Sequence, residues 1–271
     1  MAEFESIPVL DKGFVRLIDV MGDDQRIAAA ARVSYGGGAK SKREDAALID
    51  YLMRNRHTSP FEMVEFTFHV KAPIFVARQW FRHRTASVNE ISARYSVLDD
   101  DFFQPAAEEL RGQGAANKQV GEGNLPSSEA AELANLIKRS NESSYAAYEK
   151  LLEGGLAREQ ARSVLPVGIY TQFYWKQDLH NLLHFLKLRL DWHAQAEIRA
   201  YAEAISGIVK RVVPASWRAF EEHALHSASF SRAELQAISR LVSRETLETE
   251  LRESGLSRSR VEETLRKIYG S

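Results

Sequence analysis

Cysteine is absent from the 271-residue sequence. Disulfide bonds cannot form, which fits a reducing compartment. Thiolate nucleophiles and thiolate metal ligands are excluded as well, because only cysteine supplies them. The absence therefore removes a whole class of catalytic and metal-binding sites before any motif is considered.

Long apolar runs and a surplus of one charge are absent too. No stretch approaches the roughly 18 apolar residues of a membrane span, and the opening MAEFESIPVLDKG is acidic and lacks the apolar run of a signal peptide. The formal net charge is −1, whereas nucleic-acid-binding proteins usually carry a basic excess. With 44% hydrophobic residues, the chain can bury a real core. We expect a cytoplasmic protein that binds neither membranes nor nucleic acid.

The apolar pattern predicts an α+β fold with an antiparallel sheet and long helices. Apolar and polar residues alternate from Val64 to Val70, which is typical of a strand with one wet face. Residues 168–177, GIYTQFYWKQ, have the composition of a second strand. Helical spacing of apolar residues predicts helices at 23–34, 43–55, 74–82, 128–153, 158–165 and 179–190, and another between Asp191 and Pro214.

Two stretches lack such a pattern. Residues 82–96 are predicted to form an irregular segment after the preceding helix. Residues 104–128 are rich in glycine, glutamine, asparagine and serine, and are predicted to form a long loop with a short helical start at 106–110. Long loops in a compact domain are often functional.

The composition changes near residue 227. We therefore expect a main domain at 1–226 and a charged extension of two or three small helices at 227–271. In that extension, Ser231-x-x-Glu234 and Ser259-x-x-Glu262 have the spacing of capping boxes, in which a serine and a glutamate satisfy the first amides of a helix.

The stretch RHRTASVNEISARYS, residues 82–96, places three basic residues, Arg82, His83 and Arg84, in its first three positions. Arginine forks bind phosphate, carboxylate and imide-like edges with two parallel hydrogen bonds. The cluster is either a solvated surface loop or a site for a phosphorylated, planar ligand. Because it is local in a chain of balanced charge, it favours a small anionic ligand over a long one.

Two other readings of the polar residues are weaker. His180 and His184 share a helix face, a spacing that can bind zinc, but HNLLH lacks the glutamate of a zinc peptidase motif, so a ligand-facing helix surface is preferred over a metal. Ser92 lacks the GxSxG environment of a hydrolase nucleophile. It is better suited to hydrogen-bonding a ligand.

Arg189 lies between Leu188 and Leu190 on a predicted helix, where a charge beside a core needs a partner. Asp191, Glu197 or a ligand could supply it, and periodicity alone leaves these options open.

Five motifs in order along the chain resemble the flavin-dependent thymidylate synthases. Arg82-His83-Arg84, seven residues and Ser92 match that family's signature, and the resemblance covers roughly residues 10–225. The motifs are RHTSPFE at 56–62, QWFRHR at 79–84, NEISARYS at 89–96, ARSVLP at 161–166 and LRLDWHAQAEIR at 188–199. An RHR tripeptide alone would be weak evidence for a family, whereas five motifs in the same order are specific evidence.

The resemblance implies a homotetramer of a mixed α/β fold, with each active site shared between subunits. It implies FAD as the cofactor, with dUMP, 5,10-methylenetetrahydrofolate and NADPH as substrates and dTMP as the product. The missing cysteine agrees with this, because the other kind of thymidylate synthase attacks C6 of uracil with a thiolate. Reduced FAD would supply a hydride instead, while the protein binds and polarises the pyrimidine.

The resemblance also implies site residues. Arg189 is expected to be the main catalytic residue, since a cation at the N3–C2 edge of uracil stabilises charge on the imide. Segment 90–94 is expected to come from a neighbouring subunit. The implied dUMP-binding residues are Gln79, Trp80, Phe81, Arg82, Glu90, Ile91, Ser92, Ala93, Arg94, Arg162 and Arg189. The implied FAD-binding residues are Ser59, Arg82, His83, Arg84, Glu90, Asp178, Leu179, His180 and His184.

His57 and His193 also fall at motif positions and are expected to shape the flavin or folate environment. No metal is expected. An alternative of another class is an RNA- or nucleotide-binding module that uses the cationic cluster with Trp80, Phe81 and Tyr95 as stacking groups. A third possibility is a family member that retains FAD but has lost turnover.

Overall fold

A five-stranded antiparallel sheet forms the centre of the computed structural model, which describes residues 6–33, 42–114 and 121–270. The sheet has the order β1-β2-β3-β7-β4, and a separate two-stranded hairpin pairs β5 with β6. The strands are β1 (Ile7–Val9), β2 (Gly13–Met21), β3 (Glu65–Pro73), β4 (Ser87–Glu90), β5 (Arg111–Gln113), β6 (Gly121–Asn124) and β7 (Tyr170–Asp178).

Eight α-helices accompany these strands in the described part of residues 1–225. They are α1 (Asp24–Val33), α2 (Lys42–Arg54), α3 (Ile74–Trp80), α4 (Ser127–Glu153), α5 (Arg158–Ala161), α6 (Leu179–Arg189), α7 (Ala196–Val212) and α8 (Pro214–Phe220). The predicted α+β class, with an antiparallel sheet and long helices, is confirmed. None of the helices in the described ranges is both long and apolar enough to cross a membrane.

The pairing of β3 with β7 holds the core together. These two nine-residue strands are in register from Glu65 opposite Asp178 to Pro73 opposite Tyr170. Alternate residues of β3, including Phe66 and Phe68, are fully buried, as the alternating pattern predicts. The same strands lead directly into α3 and α6, so the sheet fixes where both helices begin.

The starts of α3 and α6 follow from single residues. Pro73 ends β3 with an extended backbone and is the N-cap of α3, one position before the first-turn site at which proline is most common. Asp178 caps α6, because its Oδ1 accepts a hydrogen bond of 2.9 Å from the Asn181 amide.

Several strands were not predicted. The irregular segment expected at 82–96 contains β4, and the loop expected at 104–128 contains β5 and β6 with a 3₁₀ turn at Ala107–Glu109. All four residues of β4 are exposed, so this edge strand has no apolar alternation to detect. Residues 115–120 of the expected loop, and Ser34 at the end of the first expected helix, lie outside the described residues.

A second compact unit comprises His226–Ser271. It contains α9 (Arg232–Leu241), α10 (Arg244–Glu253) and α11 (Arg258–Tyr269), with Val261 and Leu265 buried. The predicted capping box at Ser231 and Glu234 is confirmed, with hydrogen bonds in both directions.

The second predicted capping box is wrong. The N-cap of α11 is Ser257, whose Oγ accepts a 3.4 Å hydrogen bond from the Arg260 amide. Ser259 is already the second helical residue of α11, whereas a cap residue lies just outside the helix, so it cannot act as the cap.

Candidate active site

An open cavity of about 810 Å³ lies where the end of α3 faces one side of α6. Its size is in the usual range for small-molecule sites. Nine residues line it, namely Arg82, His83, Arg84, Thr85, His180, Asn181, His184, Leu188 and Arg189. Six of them were named from the sequence, so the structure brings the RHR run, the two helix histidines and Arg189 to one place.

Helix α6 presents its polar face to this cavity. His180, His184 and Leu188 follow one another at intervals of four residues, so they lie along one face. The other face contains Leu179, Leu182 and Leu186, which are fully buried in the core. The helical period of HNLLHFLKLR thus places two histidines and Arg189 on or near the cavity side.

A tight turn brings the RHR run over α6. The amides of Arg82 and His83 donate to the carbonyls of Gln79 and Trp80 at 3.2 and 3.0 Å. The Trp80 side chain points the other way and packs in the core against Trp175 and Phe185, with ring centroids 5.1 and 5.0 Å away. Because Trp80 is fully buried, only its backbone can contact a nucleotide.

Arg189 and His83 contact each other inside the cavity. The Nε of Arg189 donates a 3.1 Å hydrogen bond to Nε2 of His83. The pKa of His83 is lowered to about 4, mainly because the ring is partly buried and further because of the electrostatic effect of the nearby Arg189 and His184. Burial also lowers the pKa of Arg189, but a guanidinium stays protonated at neutral pH. At pH 7 the pair is therefore a neutral imidazole and a cation.

The cavity is electropositive. Three arginines and no aspartate or glutamate are among its described lining residues. Such a lining attracts anions and matches the oxygens of phosphate groups. The donor set and the volume fit a phosphorylated cofactor with a planar ring, as expected for FAD.

A second cationic cluster lies elsewhere on the same chain. Arg94 forms an ion pair of 3.4 Å with Glu159, and Arg162 donates to the Glu159 carbonyl at 3.3 Å. Ser92 belongs to this cluster, because its Oγ accepts from the Arg94 amide at 3.3 Å. None of these residues lines the cavity. The arginines implied for dUMP binding thus fall into two groups on one chain, with Arg82 and Arg189 at the cavity and Arg94 and Arg162 in the second cluster.

The other implied residues have contacts of their own. The side chain of Gln79 donates to Gln195, and Asp178 also accepts from the Asn181 side chain at 2.7 Å. Leu179 and Ala93 are buried, whereas Ser59, Phe81 and Ile91 are at least partly accessible. Glu90 accepts a hydrogen bond of 2.7 Å from Thr171.

The two histidines at motif positions do not line the cavity. His57 meets Tyr51 edge to face at 5.7 Å. His193 bonds Asp191 at 2.8 Å, and the hydrogen bonds from His193 hold the pKa of Asp191 below its ordinary value. Across residues 6–33, 42–114 and 121–270, no three histidine, aspartate or glutamate side chains come together as a metal site.

Three cavity residues were missed from the sequence. Thr85 directly follows the RHR run, Asn181 follows His180, and Leu188 lies one helical turn after His184. Helical spacing alone would have suggested Leu188 once His180 and His184 were assigned to a ligand-facing surface.

Comparison with known proteins agrees with the motifs. A family model described as thymidylate synthase complementing protein matches residues 16–215. A flavin-dependent thymidylate synthase of Thermus thermophilus is 62% identical over 265 residues, which are 98% of this chain and 96% of that protein. One from Treponema denticola is 56% identical over 236 residues, covering 86% of this chain and 88% of that protein.

A solved structure is similar as well. The UMP/dUMP methylase PolB from Streptomyces cacaoi, crystallised with 5-Br dUMP, matches with a TM-score of 0.74 and 34% identity, covering 82% of this chain and 100% of that one. The ordered motifs, the family match and these relatives agree, and the chain belongs to the thymidylate synthase complementing protein family, that of the flavin-dependent thymidylate synthases.

Proposed function

We propose that the protein methylates dUMP reductively to dTMP, with 5,10-methylenetetrahydrofolate as the one-carbon donor and FAD reduced by NADPH. The observation that carries the proposal is the convergence of Arg82, His83, Arg84, His180, His184 and Arg189 on one electropositive cavity. These residues come from sequence positions about 100 apart, and the family resemblance named them independently of the fold.

The chain is a flavin-dependent enzyme of the methyltransferase class, and bound FAD supplies the hydride that completes the new methyl group. Arg82 and Arg84 would bind the anionic part of the cofactor, and His83, His180 and His184 would line the rest of its site. The three arginines that line the cavity disfavour any positively charged ligand.

Arg189 would act on the pyrimidine. As C5 of uracil becomes the nucleophile, negative charge spreads over the imide, and a fixed cation at the N3–C2 edge stabilises that charge. The guanidinium is half-buried and has a hydrogen-bond partner within the chain. Its orientation is therefore established before substrate arrives, which is the condition for electrostatic catalysis.

We also propose a homotetramer in which the cluster of Ser92, Arg94 and Arg162 completes the cavity of a neighbouring subunit. Strand β4 is an edge of the sheet and leads into Tyr95, which is 78% exposed. Helix α4 has 27 residues but buries only Ala130, Asn141 and Tyr148, and leaves Leu133 and Leu136 exposed. An open edge and an exposed apolar stripe are features that a neighbouring subunit would cover.

The nucleic-acid-binding alternative is less well supported. It needs Trp80, Phe81 and Tyr95 as stacking groups, but the indole of Trp80 is fully buried. A cytoplasmic location stays a prediction.

Release of tritium from C5-labelled dUMP tests the proposed function directly. We expect release to require methylenetetrahydrofolate and NADPH together, and the purified protein to be yellow and to bleach with NADPH. UMP serves as the comparison substrate, because the PolB methylase is described as acting on UMP and dUMP. A yellow protein without turnover would indicate a member that has lost catalysis. A colourless protein that binds oligonucleotides with a steep salt dependence would favour the nucleic-acid module.

A further inference from the structure

The half-buried guanidinium of Arg189 has an unusual partner. A cation in such a place is normally paired with a carboxylate. Among the described residues, however, the hydrogen-bond partner of Arg189 is the imidazole of His83. Asp191, two residues further along the chain, is instead bonded to His193 at 2.8 Å.

The direction of the hydrogen bond defines the state of the imidazole. Arg189 can only donate, so Nε2 of His83 must be unprotonated and its ring proton must lie on Nδ1. The surrounding charges favour that neutral form. The titratable groups that share the cavity with His83 are Arg82, Arg84, His180, His184 and Arg189, and none of them is an acid.

The imidazole ring is held in place by the core. It meets the buried ring of Phe185 nearly perpendicularly at 4.9 Å. Phe185 in turn packs against Trp80 and Trp175, with centroids 5.0 and 4.9 Å away. Because these three aromatic side chains are fully buried, one side of the imidazole rests on a closely packed part of the core, which limits the movement of Nε2.

We propose that His83 is a positioning residue for Arg189, which orients the guanidinium through a neutral acceptor and so leaves its positive charge uncompensated for the pyrimidine. A carboxylate in the same place would orient Arg189 equally well but would cancel much of its field. This inference rests on the proposed function, because it assigns the oriented cation to the dUMP imide. It goes beyond binding of the cofactor, since it concerns the charge state of a contact within the chain.

Three substitutions at His83 separate orientation from charge. His83→Gln retains a neutral acceptor near Nε2, His83→Glu retains an acceptor but adds a negative charge, and His83→Lys replaces the acceptor with a cation. We expect His83→Gln to keep kcat within a few-fold. We expect His83→Glu and His83→Lys to lower kcat by on the order of 10²-fold, as when one oxyanion donor is lost. His226→Gln, at an exposed histidine of the second unit, is the matched control and should leave kcat unchanged.

Two measurements keep a loss of FAD from being mistaken for a loss of positioning. The flavin absorbance per chain is determined for every variant, and kcat is compared only per bound flavin. In addition, histidine-selective ¹⁵N NMR of the wild-type holoenzyme without substrates should show His83 neutral from pH 5 to 8, with the proton on Nδ1.

The inference would be overturned if the His83 signal titrated between pH 5 and 8 or showed a proton on Nε2. It would also be overturned if His83→Gln, with full flavin content, lost as much kcat as His83→Glu. These outcomes differ from failure of the proposed function, in which the wild-type holoenzyme itself forms no dTMP.

Discussion

The hydroxyl of Thr171 on β7 donates a 2.7 Å hydrogen bond to the carboxylate of Glu90, the last residue of β4. Thr171 is buried, whereas Glu90 is exposed. The bond therefore anchors the end of an exposed edge strand to the central sheet, at the point where the chain continues into Ser92 and Arg94.

Thr171→Val tests this anchor, because it removes the hydroxyl while keeping the shape of the side chain. We expect the KM for dUMP to rise about tenfold, since a hydrogen bond to a charged group contributes on the order of 1.5–3 kcal/mol. Thr171→Ser keeps the hydroxyl and should stay close to wild type. Equal KM values for Thr171→Val and wild type would show that dUMP binding does not depend on the hydrogen bond between Thr171 and Glu90.

Arg189→Lys keeps the charge but loses the planar fork and the bond to His83. We expect kcat to fall by roughly 10²- to 10³-fold, the loss typical of removing a preorganised donor from an oxyanion site. The KM for dUMP should change much less, because the contact strengthens mainly in the transition state. Steady-state assays of dTMP formation check both values, and wild-type turnover in this variant would contradict the catalytic role of Arg189.

Subunit mixing tests the shared site. Arg162→Ala and Arg189→Ala should each be inactive alone, because each breaks one of the two cationic clusters. If a site combines clusters from two chains, random mixing in equal amounts leaves about a quarter of the sites intact in a symmetric oligomer. Mixing after reversible dissociation should therefore restore measurable dTMP formation. Two chains that remain inactive after verified exchange would indicate that each site is built by a single chain.

Trp80→Ala should destabilise the fold rather than alter specificity. The indole is fully buried between Phe173, Trp175, Phe185 and Tyr201. Truncating a buried aromatic residue of this size costs on the order of 3–5 kcal/mol of unfolding free energy. The thermal unfolding midpoint should fall markedly, and Trp80→Phe should lower it less. If instead the midpoint held and only the KM for dUMP rose, the side chain would have a direct part in binding.

Acid should weaken the fold partly through Asp101. Its carboxylate lies 2.5 Å from the Nζ of Lys71 and 3.4 Å from that of Lys12. The hydrogen bond from Lys71 holds the pKa of Asp101 below its ordinary value of 3.8. Because the folded-state pKa is depressed, this stabilisation is complete above about pH 4–5 and is lost as pH falls through the folded-state pKa.

Asp101→Asn should therefore lower the thermal midpoint at pH 7 and make the midpoint less dependent on pH below about 4. Glu234→Gln is a suitable comparison on the second unit, since its carboxylate is fully exposed and also has a lowered pKa. If the thermal midpoint of Asp101→Asn depends on pH as strongly as that of the wild type, the acid sensitivity comes from other carboxylates.

Prediction from sequence was strongest where periodicity and packing agree. Leu182 and Leu186 are buried and His184 faces the cavity because one helical period sorts them, and that period is visible in the sequence. Strand β4 could not be found in the same way, because all its side chains are exposed and its pairing with β7 depends on backbone hydrogen bonds.

In the site, too, the features that could be predicted are those visible as a sequence pattern, and the contacts between distant residues could not be predicted. Matching motifs identified Arg189 but not its partner, because His83 is 106 residues away and an imidazole is not the charge partner that physical rules favour. Motif matching also does not show whether a residue would contact a ligand through its side chain or only through its backbone. Trp80 falls within the QWFRHR motif, yet its indole belongs to the core.

The acid-free wall of the cavity has a consequence for inhibitor chemistry. Compounds that carry amines or amidines would meet three guanidinium groups, and no carboxylate is among the described lining residues to offset them. Diacids, sulfonates and other molecules with delocalised negative charge would meet complementary donors instead. A screen against this enzyme should therefore begin with such acidic, planar scaffolds.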